Sequence, residues 1–503
     1  MEAFRNILAC LVHESPECVV DLLRNLRALD PRSTILLYNG GRDPDLLRRG
    51  FPFERYGAVV HPEPRQLAWG WLHDFALDCI RFAREHLPFD TLTVVDSDQL
   101  ATRPGYSDAL VRFVADQPRL GLIASAPGPH PPDSIIPPVV TAFEELNLWR
   151  PFLRRFPGGE SKFVHWSFWP GTVFARRAAL DLVDLVDGDA YLREILARSR
   201  IWATEEVILP TLVALLGYEV AATPFGGDFV RYQVPYTPEQ VAAALTRPDV
   251  YWIHPVARRY GDGLRRLIRD HHGHYERTFS RDSPPRARRA GQSPAIASAR
   301  GATPLLPAAL EAMGRIDGWL EPEEAELLLA TATRALVEVE GADALIEVGS
   351  YCGRGTVVLA TAAKALRPHA KVFAIDRHDG IVGALDQGLL AGPPSLPSFR
   401  ANMAAAGLAD VVEPIVANAP DAPWGRPIAL LLIDGLHDYV NVARDFFHFE
   451  PWVVDGGYVA FHDAADYFPG VPTFVNELVE SGGYRRVDRA GSLVVLRREP
   501  ADQ

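Results

Sequence analysis

The sequence predicts an α/β protein of two doubly wound domains, and three observations carry that prediction. Short apolar runs that stop abruptly on polar or acidic residues alternate with amphipathic helical patterns in both halves of the chain. A stretch without apolar periodicity, rich in Pro, Arg, Ser, Gly and Ala, separates the halves at 280–304. The length, 503 residues, exceeds what one hydrophobic core usually holds. The predicted domains are therefore 1–279 and 305–503, joined by a semi-extended linker at 280–304.

Composition narrows the function classes. With 48% hydrophobic and 23% charged residues the chain is that of an ordinary globular protein. Its net charge of −13 argues against a general nucleic-acid or anionic-membrane binder. Cys10, Cys18, Cys79 and Cys352 show no CxxC pairing and no disulfide-framework density, which fits a reducing compartment. The opening MEAFRNILACLVHES lacks the apolar core of a signal peptide, and no apolar stretch is long enough to span a membrane. The chain reads as soluble and cytoplasmic; a homo-oligomer is compatible with it.

In the first half, Ile7–Val12 reads as a buried strand, then a helix over Glu17–Leu29 with Ser15 as N-cap and Pro16 at its first position. Thr34–Tyr38 is the next strand, so the beginning is β-α-β and predicts a parallel sheet with right-handed crossovers. After a helix around Trp69–His86, the segment TLTVVDSDQL ends a strand in Asp96-Ser97-Asp98. Two carboxylates flanking one residue at a strand end suit a hard cation such as Mg²⁺ or Mn²⁺, shared with phosphates; acidic turns are also common without one. The segment FVHWSFWPGTVFARRAAL is dense in aromatics, with Gly171 ahead of a strand; sugar-binding walls are often aromatic, but core packing is the default for Trp166, Phe168 and Trp169. In IWATEEVILPTLVALLG, Thr204 reads as the cap of a helix whose first turn carries Glu205 and Glu206. Those two carboxylates read either as capping groups or as a general base at a cleft. Last, YWIHPVARRYGDGLRRLIR puts His254 at a strand end, followed by Arg258 and Arg259.

These segments together resemble a GT-A glycosyltransferase of the core-2/I-branching type over about residues 5–275: LACLVHESPECVVDLLRNL its opening, VVDSDQL its donor-site strand, WPGTVFARRAAL its acceptor side. The resemblance implies a nucleotide-sugar donor, a glycan acceptor, and, from ATEEVILPTL, Glu206 as catalytic base with Glu205 beside it. Core-2 enzymes use basic residues where most GT-A enzymes use a metal, and this chain keeps both DSD and Arg258-Arg259. If a metal binds, Asp98 is its foremost ligand, with Asp96 and His254 as the other candidates.

Beyond the linker, Pro322–Val339 reads as an amphipathic helix and Ala344–Val348 as a strand. Glu347-Val-Gly349-Ser350-Tyr-Cys-Gly353-Arg-Gly355 is a glycine-rich turn into a helix, where backbone can approach a ligand closely. Lys371–Ile375 is a strand ending in Asp376, placed to accept from ribose hydroxyls. Ile428–Ile433 is a buried strand stopping at Asp434; an amphipathic segment follows, then a turn at Asp455-Gly456-Gly457 and a strand Tyr458–Phe461 ending on His462-Asp463. In an open α/β sheet ligands bind beyond the carboxyl ends of the strands, so Asp434, His437, His462 and Asp463 are expected at one rim.

This series resembles a class I SAM-dependent methyltransferase over about residues 310–498, and its IDGLHDY and AFHD resemble the macrocin-type sugar O-methyltransferases. The resemblance implies S-adenosylmethionine at Glu347, Gly349, Ser350, Gly353 and Gly355, with its ribose at Asp376. It further implies a divalent metal on Asp434 and Asp463, with His462 where some members have an acidic residue, and His437 as general base. The expected whole is a bifunctional enzyme: a GT-A glycosyltransferase fold followed by a Rossmann-like methyltransferase fold. Two rivals stand beside it: an inactive glycan-binding first half that delivers acceptor, or a second half that methylates a small phenol or amine.

Overall fold

The computed structural model describes residues 4–13, 15–48, 51–276, 278–279, 304–367 and 369–500. The expected linker lies outside the described residues except at its last position. The chain divides into two compact units, Met1–Arg48 with Phe53–Ser280, and Arg49–Pro52 with Arg281–Gln503. Both are mixed α/β sheets flanked by helices.

In the first unit the strands are β1 (Asn6–Val12), β2 (Thr34–Asn39), β3 (Ala58–Val60), β4 (Thr91–Asp96), β5 (Leu100–Ala101), β6 (Leu120–Pro129), β7 (His165–Ala175), β8 (Glu219–Ala222) and β9 (Trp252–Ile253). Seven of them form one sheet in the order β3-β2-β1-β4-β7-β6-β8, while β5 and β9 make a two-stranded ribbon. β1 is buried along its whole length and pairs in parallel with both β2 and β4, which is why it carries no polar alternation. Only β7 runs against its neighbours β4 and β6. Ser15 caps the first helix, Pro16–Leu29, by accepting from the Cys18 amide. Gly171 does not precede a strand; it lies inside β7 at φ 78°, where the pairing with β6 is irregular. The core joins β1 and β4 side chains such as Ile7 and Val94 to Phe75, Trp149, Phe152 and Leu212 from the helices.

The second unit has β10 (Ala344–Val348), β11 (Lys371–Asp376), β12 (Ile381–Ala384), β13 (Gly388–Ala391), β14 (Val412–Val416), β15 (Ile428–Ile433), β16 (Val453–Phe461), β17 (Tyr484–Ala490) and β18 (Leu493–Arg498). Its sheet order is β14-β11-β10-β15-β16-β18-β17, with β12 and β13 forming a separate hairpin. The first five strands of that order are parallel and β18 returns antiparallel to β16. The expected turn at 455–457 is a bulge within β16: Ile428 pairs with Val453 and Leu430 with Tyr458, so the extra residues loop out without ending the strand. Among the described residues no helix is long and apolar enough to cross a membrane.

Candidate active sites

Each sheet has a point where consecutive strands depart to opposite sides, and the candidate residues collect at its carboxyl edge. In the first unit that point lies between β1 and β4, whose register pairs Leu11 with Asp96. In the second it lies between β10 and β15, whose last pair is Val348 with Ile433.

At the first edge, one ligand atom each from Asp96, Asp98 and His254 falls within 4.8 Å of the others, a spacing that suits one cation. His254 Nδ1 lies 2.9 Å from the Arg231 carbonyl, which fixes the ring and turns Nε2 toward Asp98 Oδ1 at 3.2 Å. Burial alone would lower the His254 pKa, but Asp98 and then Asp96 outweigh it and raise it. Asp96 is pushed up to about 6 by burial and by its neighbour Asp98. Asp96 Oδ1 is buried without a hydrogen-bond partner, so the donor set fits an added cation. Arg258 also reaches this turn, with Nη2 3.0 Å from Asp98 Oδ2 and Nε donating to Ser97 Oγ at 3.0 Å. Arg259 does not: its side chain is 79% exposed, with Nη2 3.9 Å from Oδ2 of Asp262, the N-cap of the helix Gly263–His271.

What holds this edge together was not visible in the sequence. Asp21, fully buried, pairs with Arg265 at 2.8 Å and Arg269 at 3.0 Å. Arg265 in turn donates to the Ser97 carbonyl at 2.9 Å and the Ala257 carbonyl at 2.7 Å. The buried guanidinium thus ties the acidic turn to the segment that carries His254 and Arg258. Nothing in the spacing of Asp21 and Arg265, 244 residues apart, signals this pair.

Glu205 and Glu206 sit in the first turn of the helix Thr204–Leu215, as expected, but Thr204 is not its cap. Ala203 occupies that position with φ 50°, and Thr204 is already helical, its hydroxyl 2.7 Å from His73 Nδ1. Glu205 accepts from the Leu72 amide at 2.9 Å; Glu206 accepts from Trp166 Nε1 at 3.1 Å and the Trp169 amide at 3.2 Å. Burial lifts Glu205 to about 7, and burial with Glu205 beside it lifts Glu206 to about 8. Both carboxyls line a cavity of about 640 Å³. Asp96, Asp98 and His254 are not among its lining residues; the nearest link is Phe168, a wall residue whose ring packs edge-on to His254 at 6.0 Å.

The second edge bounds a cavity of about 690 Å³. Gly349 is at φ 88°, and a Cβ there would overlap the Asp434 carbonyl, so only glycine lets β10 and β15 end this close. A Cβ on Gly355 would likewise strike Glu347 Oε1, and one on Gly353, at φ 93°, would meet Met403. Glu347 is buried beneath the loop, accepts from the Thr356 hydroxyl, and is raised to about 8 by burial. Asp376 accepts from the Tyr351 amide at 2.7 Å and the His378 amide at 2.6 Å, which pins the loop to the end of β11. Ser350 Oγ is buried in the wall without a hydrogen-bond partner. The cavity wall carries more carboxylates, among them Asp376, Asp434 and Asp463, than cationic side chains, which favours a positively charged occupant.

Asp434, His437 and Asp463 form a second set of ligand atoms within 4.8 Å of one another. His437 Nε2 is 3.1 Å from Asp463 Oδ2, its ring stacks on Phe468 at 4.7 Å, and burial lowers its pKa against the pull of Asp463. His462, expected as a ligand, stands outside this set. Its Nδ1 is 2.9 Å from Asp434 Oδ1 and its Nε2 3.0 Å from Glu324 Oε2, so both nitrogens are engaged. Burial opposes the charged form of His462, but Asp434, Asp463 and Glu324 carry its pKa well above the usual histidine range. Against its own burial, His462 and the Glu321 amide hold Glu324 down to about 2. Glu324 was missed by the sequence reading; its only signal is a capping box with Glu321 at the start of the helix Pro322–Glu338.

Residues 346–464 match the sequence model of a family described as "Methyltransferase domain". This region is a methyltransferase domain. Solved structures similar to the chain include the O-methyltransferase NovP, at 19% identity over 38% of this chain and 88% of that one, with a TM-score of 0.32. An O-methyltransferase from Bacillus cereus in complex with SAH aligns at 16% identity over 40% of this chain and 92% of that one, TM-score 0.30. Cofactor-bound Rv0187 from MTB aligns at 20% identity over 40% and 92%, TM-score 0.30. The methyltransferase domain contains both the glycine loop from Glu347 onward and the Asp434, His437, Asp463 set.

Proposed function

We propose that the second unit transfers a methyl group from S-adenosylmethionine to a hydroxyl. The observation that carries this reading is the acidic cavity between the glycine loop and the Asp434, His437, Asp463 set. S-adenosylmethionine, when bound, supplies the methyl group on a sulfonium that needs no further activation. The acidic wall favours that cation, Ser350 Oγ offers an unused hydroxyl, and Asp376 is a carboxylate at the strand end where ribose hydroxyls are held. Asp434 and Asp463 would hold a divalent cation, which lowers the pKa of a bound hydroxyl. His437, kept neutral by burial, accepts the hydroxyl proton as the methyl arrives. Its position within the ligand set makes the ligand role its rival. Calorimetry with Mg²⁺ separates the two: a base variant keeps cation affinity, a ligand variant loses it.

For the first unit the reading is sugar transfer from a nucleotide-sugar donor, supported by the Asp96, Asp98, His254 set and by Glu206, poised as a base with its pKa near the working pH. Mg²⁺ or Mn²⁺ on that set, or Arg258, would offset donor diphosphate charge. Hydrolysis of nucleotide sugars by the full chain, with and without Mn²⁺, tests it; no turnover of any donor would leave a binding module. The methyl acceptor is then a sugar hydroxyl, and a small phenol is the second reading, favoured by Ile381, Leu390 and Tyr467 in the cavity wall. The domains 1–279 and 305–503 are proposed to fold separately; two soluble, cooperatively melting fragments are the expected result of expressing them apart.

A further inference from the structure

The cavity beside Glu205 and Glu206 has a lining that specifies its occupant. Its walls are aromatic: Trp69, Trp166, Phe168, Trp202 and Tyr232 face it, closed on one side by Ile136, Pro137 and Pro138. Trp69 and Trp202 stack at 5.3 Å with their planes 29° apart, and Trp69 and Tyr232 are 68% and 55% exposed. The loop carrying Trp69 is tied down at both ends. Trp71 donates to the Ala68 carbonyl at 3.0 Å, and the Gly70 carbonyl accepts from the Thr204 amide at 3.1 Å, at the head of the helix that bears the two glutamates. These bonds fix the backbone on either side of the exposed indole.

Apart from the indole N–H groups of Trp69, Trp166 and Trp202, the polar side chains in this wall are Ser125, Thr223, Tyr232, Glu205 and Glu206. Among the described lining residues there is no lysine, arginine or histidine. A phosphate or carboxylate would enter without a counter-charge, which the site disfavours. Asparagine, glutamine and aspartate, the planar groups that pair with successive sugar hydroxyls, are also absent from the described lining. A ring bearing a hydroxyl at every carbon would leave most of them unpaired against indole and proline. What fits is a flat apolar ring with a single donor group directed at the carboxyls, since both glutamates take their own donors from the protein behind them.

We propose that this cavity is the acceptor site of the first unit and that its acceptor is an uncharged alcohol borne on an apolar aromatic or alicyclic ring, stacked on Trp69, and not the hydroxyl-rich end of a polysaccharide. From the sugar-transfer reading the proposal takes only the occupant's role as acceptor; the chemistry of the cavity stands without it.

The test is equilibrium dialysis of the full chain, without donor, against cinnamyl alcohol, cinnamate and methyl glucoside. Cinnamyl alcohol binds about tenfold or more tightly than either of the others, and Trp69→Ser, at an exposed position, reduces its affinity by about tenfold, the loss expected for one large aromatic contact. Methyl glucoside or cinnamate binding as tightly as cinnamyl alcohol overturns the proposal. So does cinnamyl alcohol binding that Trp69→Ser and Tyr232→Ser both leave unchanged, with far-ultraviolet dichroism confirming that the variants are folded. Failure of the sugar-transfer reading looks different: cinnamyl alcohol binds and responds to Trp69→Ser, yet no nucleotide sugar is turned over with any acceptor.

Discussion

The two units place the same three residue types, two aspartates and a histidine, within 4.8 Å at the carboxyl edge of a sheet, yet two pairs of acids near those edges behave oppositely. In the second unit a buried imidazole, His462, lies between Asp434 and Glu324, and Glu324 and Asp463 are held down to about 2. In the first, Glu205 and Glu206 are buried against neutral donors, and they rise to about 7 and about 8. Burial penalises a carboxylate in both; a cation within hydrogen-bond reach decides the sign. The compensated edge is built to stay charged. The uncompensated pair is built to exchange a proton near neutrality.

The largest expected effects come from removing the groups that handle protons. His437→Ala lowers methyl transfer by about 10²–10⁴-fold, the contribution of a positioned base, while S-adenosylmethionine affinity by calorimetry is retained. Asp434→Ala acts similarly and abolishes any response to added Mg²⁺. On the other side, Glu206→Gln lowers sugar transfer by about 10²-fold or more and leaves methylation intact, since the amide keeps the shape without the basicity. Near-parent turnover in either variant removes that residue from its role.

Next in size is the compensating imidazole. Glu324→Gln leaves buried His462 with Asp434 and Asp463 but one carboxylate fewer, and losing a hydrogen bond between charged groups costs about 1.5–3 kcal/mol. Denaturant unfolding followed on the second domain measures it; a loss below about 1 kcal/mol would show that the pair adds little.

A smaller effect, with opposite signs for Glu324 and Glu206, is the response to pH. Glu324 drops from 4.5 to about 2 on folding, so its stabilisation is fully present above pH 4.5 and is lost as pH falls toward 2. Glu206 rises from 4.5 to about 8, so the native state binds the extra proton and that advantage is lost as pH rises from 4.5 through 8. Glu206→Gln therefore flattens the decline in melting temperature between pH 5 and pH 8 (about the window set by those two values) and Glu324→Gln does not. Parallel profiles for parent and Glu206→Gln would contradict the raised value. Smallest of all, Arg259→Ala changes stability by no more than about 0.5 kcal/mol and leaves both activities unaltered, because its side chain points to solvent.

Much of the architecture was legible in the sequence. Buried parallel strands declare themselves as uninterrupted apolar runs, and β1, β10 and β15 lie where those runs stand. The ends of β4, β11 and β15 at Asp96, Asp376 and Asp434, and the glycines at 349 and 353, follow from local rules: a strand stops where a polar residue meets the sheet edge, and positive φ favours glycine. Tertiary structure alone decided which partners those acids received. His462 follows Phe461 along β16, whose pairing with β15 sets it beside Asp434 and against Glu324, 138 residues away; the same contact that removes it as a ligand makes it a counter-ion. Asp21 and Arg265 meet across 244 residues, and Trp69 stacks on Trp202 beside the bond from the Thr204 amide to the Gly70 carbonyl. Short-range pattern determines which elements form and where they end. The charge state of a buried acid depends on the one cation within about 3–4 Å, and that distance is set by how strands and helices far apart in sequence pack.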